Sequence, residues 1–366
     1  KARFRAEVFE GGRVPELVDP ETGKTIRAMD TAETGFGLEL IGIQYVDEMW
    51  KAARNEDSLV ADIRQIPMTA PTTRVPIDAG IPKMLFVGES TAPDAFKDAP
   101  YATSKTGSNR KELAAKKFTI QSVWSGELSE DSIVPFVPWL REMLAHSAAI
   151  HLGSAYYNGD LTNAGTGNIN SDDGDPADTE HYLAWDGIRH TWLVDATTQG
   201  KDMAAALNPD ELWKARGKLS SQGQDPDAIG TINWGLRARE LRLVCDFDTF
   251  MALHRLGEVL TVDKYGPQAT IVTGELGSIS GIPIISPPYA FKTEADGKCS
   301  TTPSSNTKGQ ITVFNPRGAL AGIRRDTVLY FDRVQRTDQF LLELYSRHAF
   351  VRFDNAYAAG IFNVTV

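Results

Sequence analysis

Cysteine is almost missing from this sequence: of 366 residues only Cys245 and Cys299 are cysteines. Two isolated thiols make neither a disulfide framework nor a metal-ligand spacing, which suggests folding in a reducing compartment and reads both as inert. Staples are not needed at this length, since a chain of this size buries about 75% of its unfolded surface. Long hydrophobic runs are missing too. No stretch of eighteen apolar residues occurs, and the opening KARFRAEVFEGG has no apolar core, so neither a membrane span nor a secretory signal is visible. Positive charge is in deficit: 38 Lys and Arg against 48 Asp and Glu leave a net charge of −10, the wrong balance for a surface that grips nucleic acid by neutralising phosphates.

Catalytic constellations are absent as well. Gly277-Ser278-Ile279-Ser280-Gly281 has the outline of a nucleophile elbow, but its central position is isoleucine. Gly165-Thr166-Gly167 lacks a third glycine at Asn170 and follows no strand, which removes a dinucleotide fingerprint. His146 and His151 are five apart and do not share a helix face as metal ligands would, while His190, His254 and His348 occur singly. The loop LTNAGTGNINSDDGDPADT at 161–179 is rich in carboxylates. A calcium-loop register from Asn168 puts Asp173 at the glycine position and Thr179 at the glutamate position, and the next register begins on Ile169. Asn363-Val364-Thr365 matches a glycosylation acceptor by chance, there being no secretory signal. No catalytic residue, cofactor or metal is therefore expected.

What is present is a globular composition, 42% hydrophobic and 23% charged, organised around one long period. From Ser129 to Asp160, the residues Ile133, Val137, Leu140, Leu144, Ala148, Leu152 and Ala155 recur at spacings of three and four and line one face of a helix. Ile133, Val137, Leu140, Leu144 and Leu152 are its candidate core. Pro135 and Pro138 place the regular start near Pro138, and Asn158-Gly159-Asp160 is a stop. Twenty-odd residues at 1.5 Å each make a rod of roughly 30 Å, long enough to act as a spine.

Around this spine the chain reads as an α+β fold. Residues 1–33 are charged and without period, as in an arm that lies on something else. A short amphipathic helix is expected over 36–54, and proline-broken strands over 58–82. The stretch from Lys83 to Ser122 opens with MLFVGES and closes with KKFTIQSVW, and reads as a hairpin with arms of about 16 residues, reaching roughly 50 Å. A body of this length has a radius of gyration of only about 21 Å, so the hairpin must stand out from it, and its natural cover is another subunit. Helices are expected over 182–196 and 209–222, the second capped by Asn208 with Pro209 in first position. A buried strand at 241–247 precedes a helix through Phe250, Leu253 and Leu256. Gly281-Ile282-Pro283-Ile284-Ile285 is an apolar strand ending in prolines, and the last part is strand-rich: VLYFDRV, FLLELYSRHAFVRFDNAY and GIFNVTV.

A charged arm, a short helix, the strand PTTRVPID, a long projection, a spine ending in YYNGD, a large insert closing on GIPIISPPY, and a terminal sheet containing YSRHAFVRFDNAYAAG together resemble the major capsid protein of tailed bacteriophages, with the Hong Kong 97 fold. The resemblance covers the chain from Glu33 onward. It implies an N-terminal arm with short helix (1–63), a peripheral-domain strand (64–83), an extended loop (84–121), the peripheral-domain spine helix (122–159), an axial domain (160–317), a peripheral-domain sheet (318–352) and a last axial strand (353–366). The loop residues Lys97, Tyr101, Lys105, Arg110, Lys111, Lys116 and Lys117 would then touch a neighbouring subunit. Some members of the family weld subunits by an isopeptide bond from a loop lysine to an asparagine. The stretch Val334-Gln335-Arg336-Thr337-Asp338-Gln339, where the acceptor would align, has no asparagine, so no cross-link is expected.

The function implied is structural: hexamers and pentamers of the chain closing into an icosahedral shell around double-stranded DNA, with no enzyme activity and no membrane. The chain's partner is itself. A decoration or cement protein, a portal and a scaffold are further partners the family suggests, with packaged DNA held non-specifically on the inside. Its place is the virion, after assembly in the cytoplasm of a host bacterium. The alternatives are an encapsulin-type compartment shell and a soluble α+β enzyme with an unrecognised site. The chain begins with Lys1, which the family reads as the product of maturation cleavage of a scaffolding segment; an artificial boundary or an unseen leader is the rival reading.

Overall fold

The computed structural model describes residues 17–18, 25–26, 59–80, 82, 84, 107–131, 136–220, 232–260 and 276–366. The chain divides into two units, Lys1–Lys51 and Ala52–Val366. In the first, β1 (Leu17–Val18) pairs antiparallel with β2 (Thr25–Ile26), in a segment expected to lack regular structure. Each is a dipeptide of β-forming residues, and the turn formers Asp19, Pro20 and Gly23 separate them in the sequence. The helix expected over 36–54 lies outside the described residues, as does Ile133.

The second unit begins with α1 (Leu59–Asp62), where alternation had suggested a strand. Leu59 and Ile63 are both buried, and a spacing of four satisfies a helical turn as well as a strand of period two. Next come β3 (Arg64–Pro67), β4 (Thr72–Gly80), β5 (Gly107–Ala114) and β6 (Lys116–Ser125). The hairpin differs from the one expected. Its arms are β4 and β5, paired antiparallel from Thr72↔Ala114 to Gly80↔Gly107. The stretch KKFTIQSVW is β6, which pairs with a C-terminal strand in the body of the molecule. The reason lies in the side chains: Phe118, Ile120 and Trp124 alternate to one face and need an apolar partner, whereas GSNRKELA has little apolar surface to bury.

Then follow α2 (Gly126–Asp131) and the spine α3 (Phe136–Asn158), which starts two residues before Pro138 and ends at the expected turn. The expected helix over 182–196 is broken into a 3₁₀ turn (His181–Ala184), α4 (Ile188–His190) and a π turn (Thr191–Asp195). Gly187 breaks it by approaching the backbone of Gly159, donating its N–H to the Gly159 carbonyl at 2.8 Å. The rest of the chain supplies β7 (Gly200–Ala206), α5 (Pro209–Gly217), β8 (Arg242–Cys245), α6 (Phe247–His254), α7 (Gly257–Leu260), β9 (Ser278–Ile279), β10 (Ile282–Ile285), β11 (Gly309–Phe314), β12 (Ala319–Val334), β13 (Gln339–Arg352) and β14 (Ala358–Thr365). Asn208 caps α5 by accepting from the Asp210 N–H at 3.0 Å, with Pro209 first in the helix.

Two larger sheets result. One has the order β3-β12-β13-β6, the other β7-β14-β11-β8-β10-β9. The spine serves both. Its first half, with Leu140 and Leu144 buried and Val137 and Ala148 half-buried, packs on Trp124, Leu342 and Leu344 of the four-stranded sheet. Its second half, with Ala155, Tyr156 and Tyr157 buried and Leu152 alongside, enters a second core with Trp185, Ile188, Trp192, Phe314 and Tyr357. A third core lies under the six-stranded sheet around Leu243, Leu253, Ile311 and Ile361. No helix among the described residues is long and apolar enough to cross a membrane.

Candidate functional site

Two features stand apart from ordinary core packing: the β4–β5 ribbon and the junction at the end of the spine. Among the described residues, the buried anchor of the ribbon lies at its base. Leu113 is fully buried against Met68 and Ala349, flanked by Ile66, Val75, Ala115, Leu320 and Val351. The Ala115 N–H donates to the Pro71 carbonyl at 2.9 Å and the Met68 N–H to that of Ile323 at 2.8 Å. Beyond the base, no side chain of β4 described between Thr72 and Asp78 is buried, and Ser108, Asn109, Arg110 and Glu112 are exposed. Pro76 is tolerated because each strand of a two-stranded ribbon has a free edge. The cross-strand pair Arg74–Glu112, 3.3 Å apart and more than half exposed on both sides, adds little stability.

Of the seven loop residues expected to touch a neighbour, Arg110 and Lys111 lie on this ribbon. Arg110 is exposed, and Lys111 lines a cleft of about 220 Å³ between ribbon and body with Arg64, Asp78, Arg317 and Arg352. Lys116 and Lys117 lie on β6 instead, a consequence of the pairing described above. Lys117 sits 4.4 Å over the Tyr345 ring, whose hydroxyl donates to Glu343 at 2.5 Å. Lys97, Tyr101 and Lys105 lie outside the described residues. The stretch 334–339 forms the turn between β12 and β13, pinned by an Arg333–Asp338 ion pair at 2.6 Å.

Near this turn is a surface not expected from the sequence. Leu329, Tyr330, Phe331 and Val334 on β12 and Val123 on β6 are each 40–51% exposed. The signal was Val328-Leu329-Tyr330-Phe331, apolar on both faces of a strand, where a strand with one wet face would alternate.

At the other feature, Asn158, Gly159 and Asp160 each do a separate job. The Asn158 amide donates to the Tyr289 carbonyl at 2.8 Å and accepts from Arg189 at 3.0 Å. Gly159 lies so close to the carbonyls of Ala155 and Trp185 that a Cβ has no room. Asp160 accepts from the Thr162 and Ile169 N–H groups, both at 2.8 Å, and shapes the next loop. Arg189 is fully buried. Its guanidinium donates to Asn158 and Asn170 side chains and to the carbonyls of Ile169 (2.8 Å) and Gly297 (3.0 Å), with the Cys299 sulfur at 3.5 Å. No carboxylate is in ion-pair range of it among the described residues, so oxygen dipoles alone carry its charge.

The carboxylates of the 161–179 loop do not converge on one cation. Asp172 pairs with Lys298 at 2.8 Å, Asp173 accepts from Ser300 and Thr301, Asp175 from the Gly165 N–H, and Asp178 from Asn163. The hydrogen bonds to Asp173 hold its carboxyl down to about 2. Ligand-type atoms do cluster at Asp160, Asp186 and His190, and at Asp172, Glu294 and Asp296.

His151, whose spacing from His146 does not suit a shared helix face, instead meets His181 edge to face at a ring separation of 4.8 Å. Nothing in the sequence signals that contact across thirty residues. His181 Nε2 lies 3.0 Å from Ser154 Oγ, and the Glu180 carboxylate is 3.8 Å from Nδ1. The outline is that of a nucleophile with its base. Burial first, and the neighbouring His151 second, lower His181 to about 4, and Glu180 is beyond hydrogen-bond range, so Ser154 lacks a competent base at neutral pH. Cys245 and Cys299 are free and buried, and burial pushes the Cys245 thiol far up, away from reactive thiolate.

No protein-family model matches the sequence, and no curated protein matches it. Solved structures do. A chain of Microbacterium phage Oxtober96 superposes with a TM-score of 0.62 at 15% identity, over 92% of this chain and 99% of that one. A chain from the capsid of the native GTA particle, computed with C5 symmetry, gives 0.59 at 15% identity, over 93% and 100%. A chain of Gordonia phage Cozz gives 0.60 at 13%, over 94% and 98%. The chain therefore shares the fold of these phage and capsid chains over nearly its whole length.

Two outcomes follow. Arg189→Met keeps the volume but removes the guanidinium donors, which leaves the Gly297 carbonyl unpaired among the described residues and the Ile169 carbonyl with the Cys299 N–H alone. With hydrogen bonds from a charged donor at about 1.5–3 kcal/mol each, urea unfolding should report a loss of about 3 kcal/mol or more; a loss under about 1 kcal/mol would remove Arg189 from its central place. His181 is neutral in the fold down to about pH 4, whereas in the unfolded chain it protonates near 6.5. The unfolded state binds the extra proton in that window, so stability holds above pH 6.5 and falls as pH drops towards 4. His348, also lowered by burial, acts in the same sense. Melting temperatures from pH 8 to 4 should show that decline, and His181→Gln should flatten it; equal slopes in both proteins would contradict the assignment.

Proposed function

We propose that this chain is a major capsid protein of a tailed phage head or phage-like particle, of the Hong Kong 97 type, and that its work is structural. The observation that carries the reading is likeness over nearly the whole chain: the superpositions cover 92% and 93% of it and 99% and 100% of the solved chains, one of them from a capsid. In this reading the four-stranded sheet and first half of α3 are the peripheral domain, and residues 160–317 with 353–366 are the axial domain that gathers at the hexamer and pentamer centres. The β4–β5 ribbon and the residues between its arms are the extended loop, with the loop's base moved back to Thr72. Arg110, Lys111 and the loop residues Lys97, Tyr101 and Lys105 contact the next subunit.

Physical features support association. The described part of the ribbon buries little on its own body, and Leu329, Tyr330, Phe331 and Val123 leave apolar surface exposed on both faces of the sheet end. The deficit of positive charge suits a container for DNA that is packed without being gripped. Portal, scaffold and decoration proteins are the further partners this reading implies, with the virion as the site of the mature protein and the host bacterial cytoplasm as the place of assembly.

The expected outcome is that purified chain forms rings or closed shells, seen by light scattering and negative-stain electron microscopy. The segment between β4 and β5 should be cut rapidly by trypsin in free subunits and slowly in shells. A species that stays monomeric across concentration and salt, with one cleavage rate throughout, would contradict the proposal. Nucleic acid inside the particles separates a phage head from an enzyme compartment.

A further inference from the structure

One set of ligand-type atoms is left over by the fold and by the proposed assembly. Asp160 closes the turn after α3, Asp186 stands just before α4, and His190 ends α4. Asp160 is fully buried and His190 is 6% exposed, while the Asp186 side chain opens to solvent at 30%. His190 Nε2 lies 3.7 Å from Asp160 Oδ1 and 3.9 Å from Asp186 Oδ1, beyond hydrogen-bond length, and has no hydrogen-bond partner among the described residues.

The other ring nitrogen explains the orientation. His190 Nδ1 is 2.7 Å from Asp195 Oδ2, and that oxygen also accepts from Arg352 at 2.6 Å. Asp195 thereby favours the tautomer with the proton on Nδ1, which leaves the Nε2 lone pair aimed into the gap between the two carboxylates. The carboxylates are themselves held in place. Asp160 Oδ1 accepts from the Thr162 N–H at 2.8 Å, its Oδ2 from the Ile169 N–H at 2.8 Å, and Asp186 Oδ1 from the Leu161 N–H at 3.1 Å. Each Oδ1 keeps a second lone pair for a ligand bond.

We propose that Asp160, Asp186 and His190 bind one first-row divalent cation of the zinc or manganese class, with Asp195 as the carboxylate behind the histidine. Metal–ligand bonds of about 2.0–2.2 Å place neighbouring ligand atoms roughly 3–3.5 Å apart, so His190 Nε2 need come only a few tenths of an ångström nearer each carboxylate, the three ligand atoms already lying within 4.8 Å of one another. A nitrogen with two carboxylates suits such an ion better than calcium or magnesium, which take oxygen alone. Water entering beside Asp186 completes the coordination. The ion would join the end of the spine to α4 and the π turn.

The test uses the full chain stripped with EDTA and titrated with Zn²⁺. One equivalent should be retained per chain by elemental analysis, and the melting temperature should rise with Zn²⁺ but not with equal Ca²⁺. Asp186→Asn keeps an oxygen for the Leu161 N–H and should melt as the stripped parent does while losing the zinc-dependent rise. Asp195→Asn should keep the one-to-one stoichiometry with affinity about 10–100-fold weaker. In case the variants fold poorly, ¹⁵N-histidine NMR of the unaltered chain gives a second reading: His190 Nε2 should shift first. No retained zinc, undiminished binding by Asp186→Asn, or shifts confined to His151 and His181 would overturn the site.

Discussion

A single buried cation holds the junction on which the rest of the molecule depends. Arg189 has no carboxylate beside it, yet it is fully buried, and burying an unpaired charge is among the costliest things a fold can do. The cost is offset by geometry: its fork reaches the end of the spine at Asn158, the loop after it at Ile169 and Asn170, and the excursion at Gly297 and Cys299. Three segments distant in sequence are thus tied to one residue of α4. Gly159 and Gly187 make this possible by letting the spine's last turn and the start of α4 meet backbone to backbone. A lysine could not replace the fork, because it offers a point charge and three donors without planar spread.

From that junction the division of labour along α3 follows. Its N-terminal half belongs to the four-stranded sheet and its C-terminal half to the core shared with the six-stranded sheet, so one rod of helix fixes the two sheets relative to each other. The ribbon hangs from the four-stranded sheet by Leu113 and its neighbours, and its other described residues from Thr72 to Asp78 and Ser108 to Glu112 are exposed or half-buried. A rigid frame carrying a thinly anchored ribbon and an uncovered apolar strand end is an economical arrangement for a subunit whose remaining burial comes from other copies.

Much of this was legible in the residues. The spine's period and its Asn158-Gly159-Asp160 stop, the Asn208-Pro209 cap, the strand at Ile282–Ile285 and the strand-rich end are local signals, and local signals survive tertiary packing. The ribbon's true arms were not legible. Of the two arms expected, Leu85-Phe86-Val87 lies outside the described residues, and KKFTIQSVW belongs to the four-stranded sheet because its pairing is decided by what β6 can bury against β13. The cluster at Asp160, Asp186 and His190 was hidden for a related reason. Histidine at 190 and aspartate at 160 are separated by thirty residues with no motif spacing, and tertiary contacts such as Gly159–Gly187 and Leu161–Asp186 bring them together. The broken helix at 181–195 reflects the same contact, which overrides a local helical period.

In the proposed assembly the β4–β5 ribbon is covered by another copy of the chain. A cryo-electron microscopy reconstruction of the assembled particle tests it most directly. The ribbon from Thr72 to Ala114 should lie across an adjacent subunit, with Arg110 at the interface and Leu113 still seated on its own sheet. A ribbon folded back over its own four-stranded sheet, or particles in which it faces only solvent, would contradict the account.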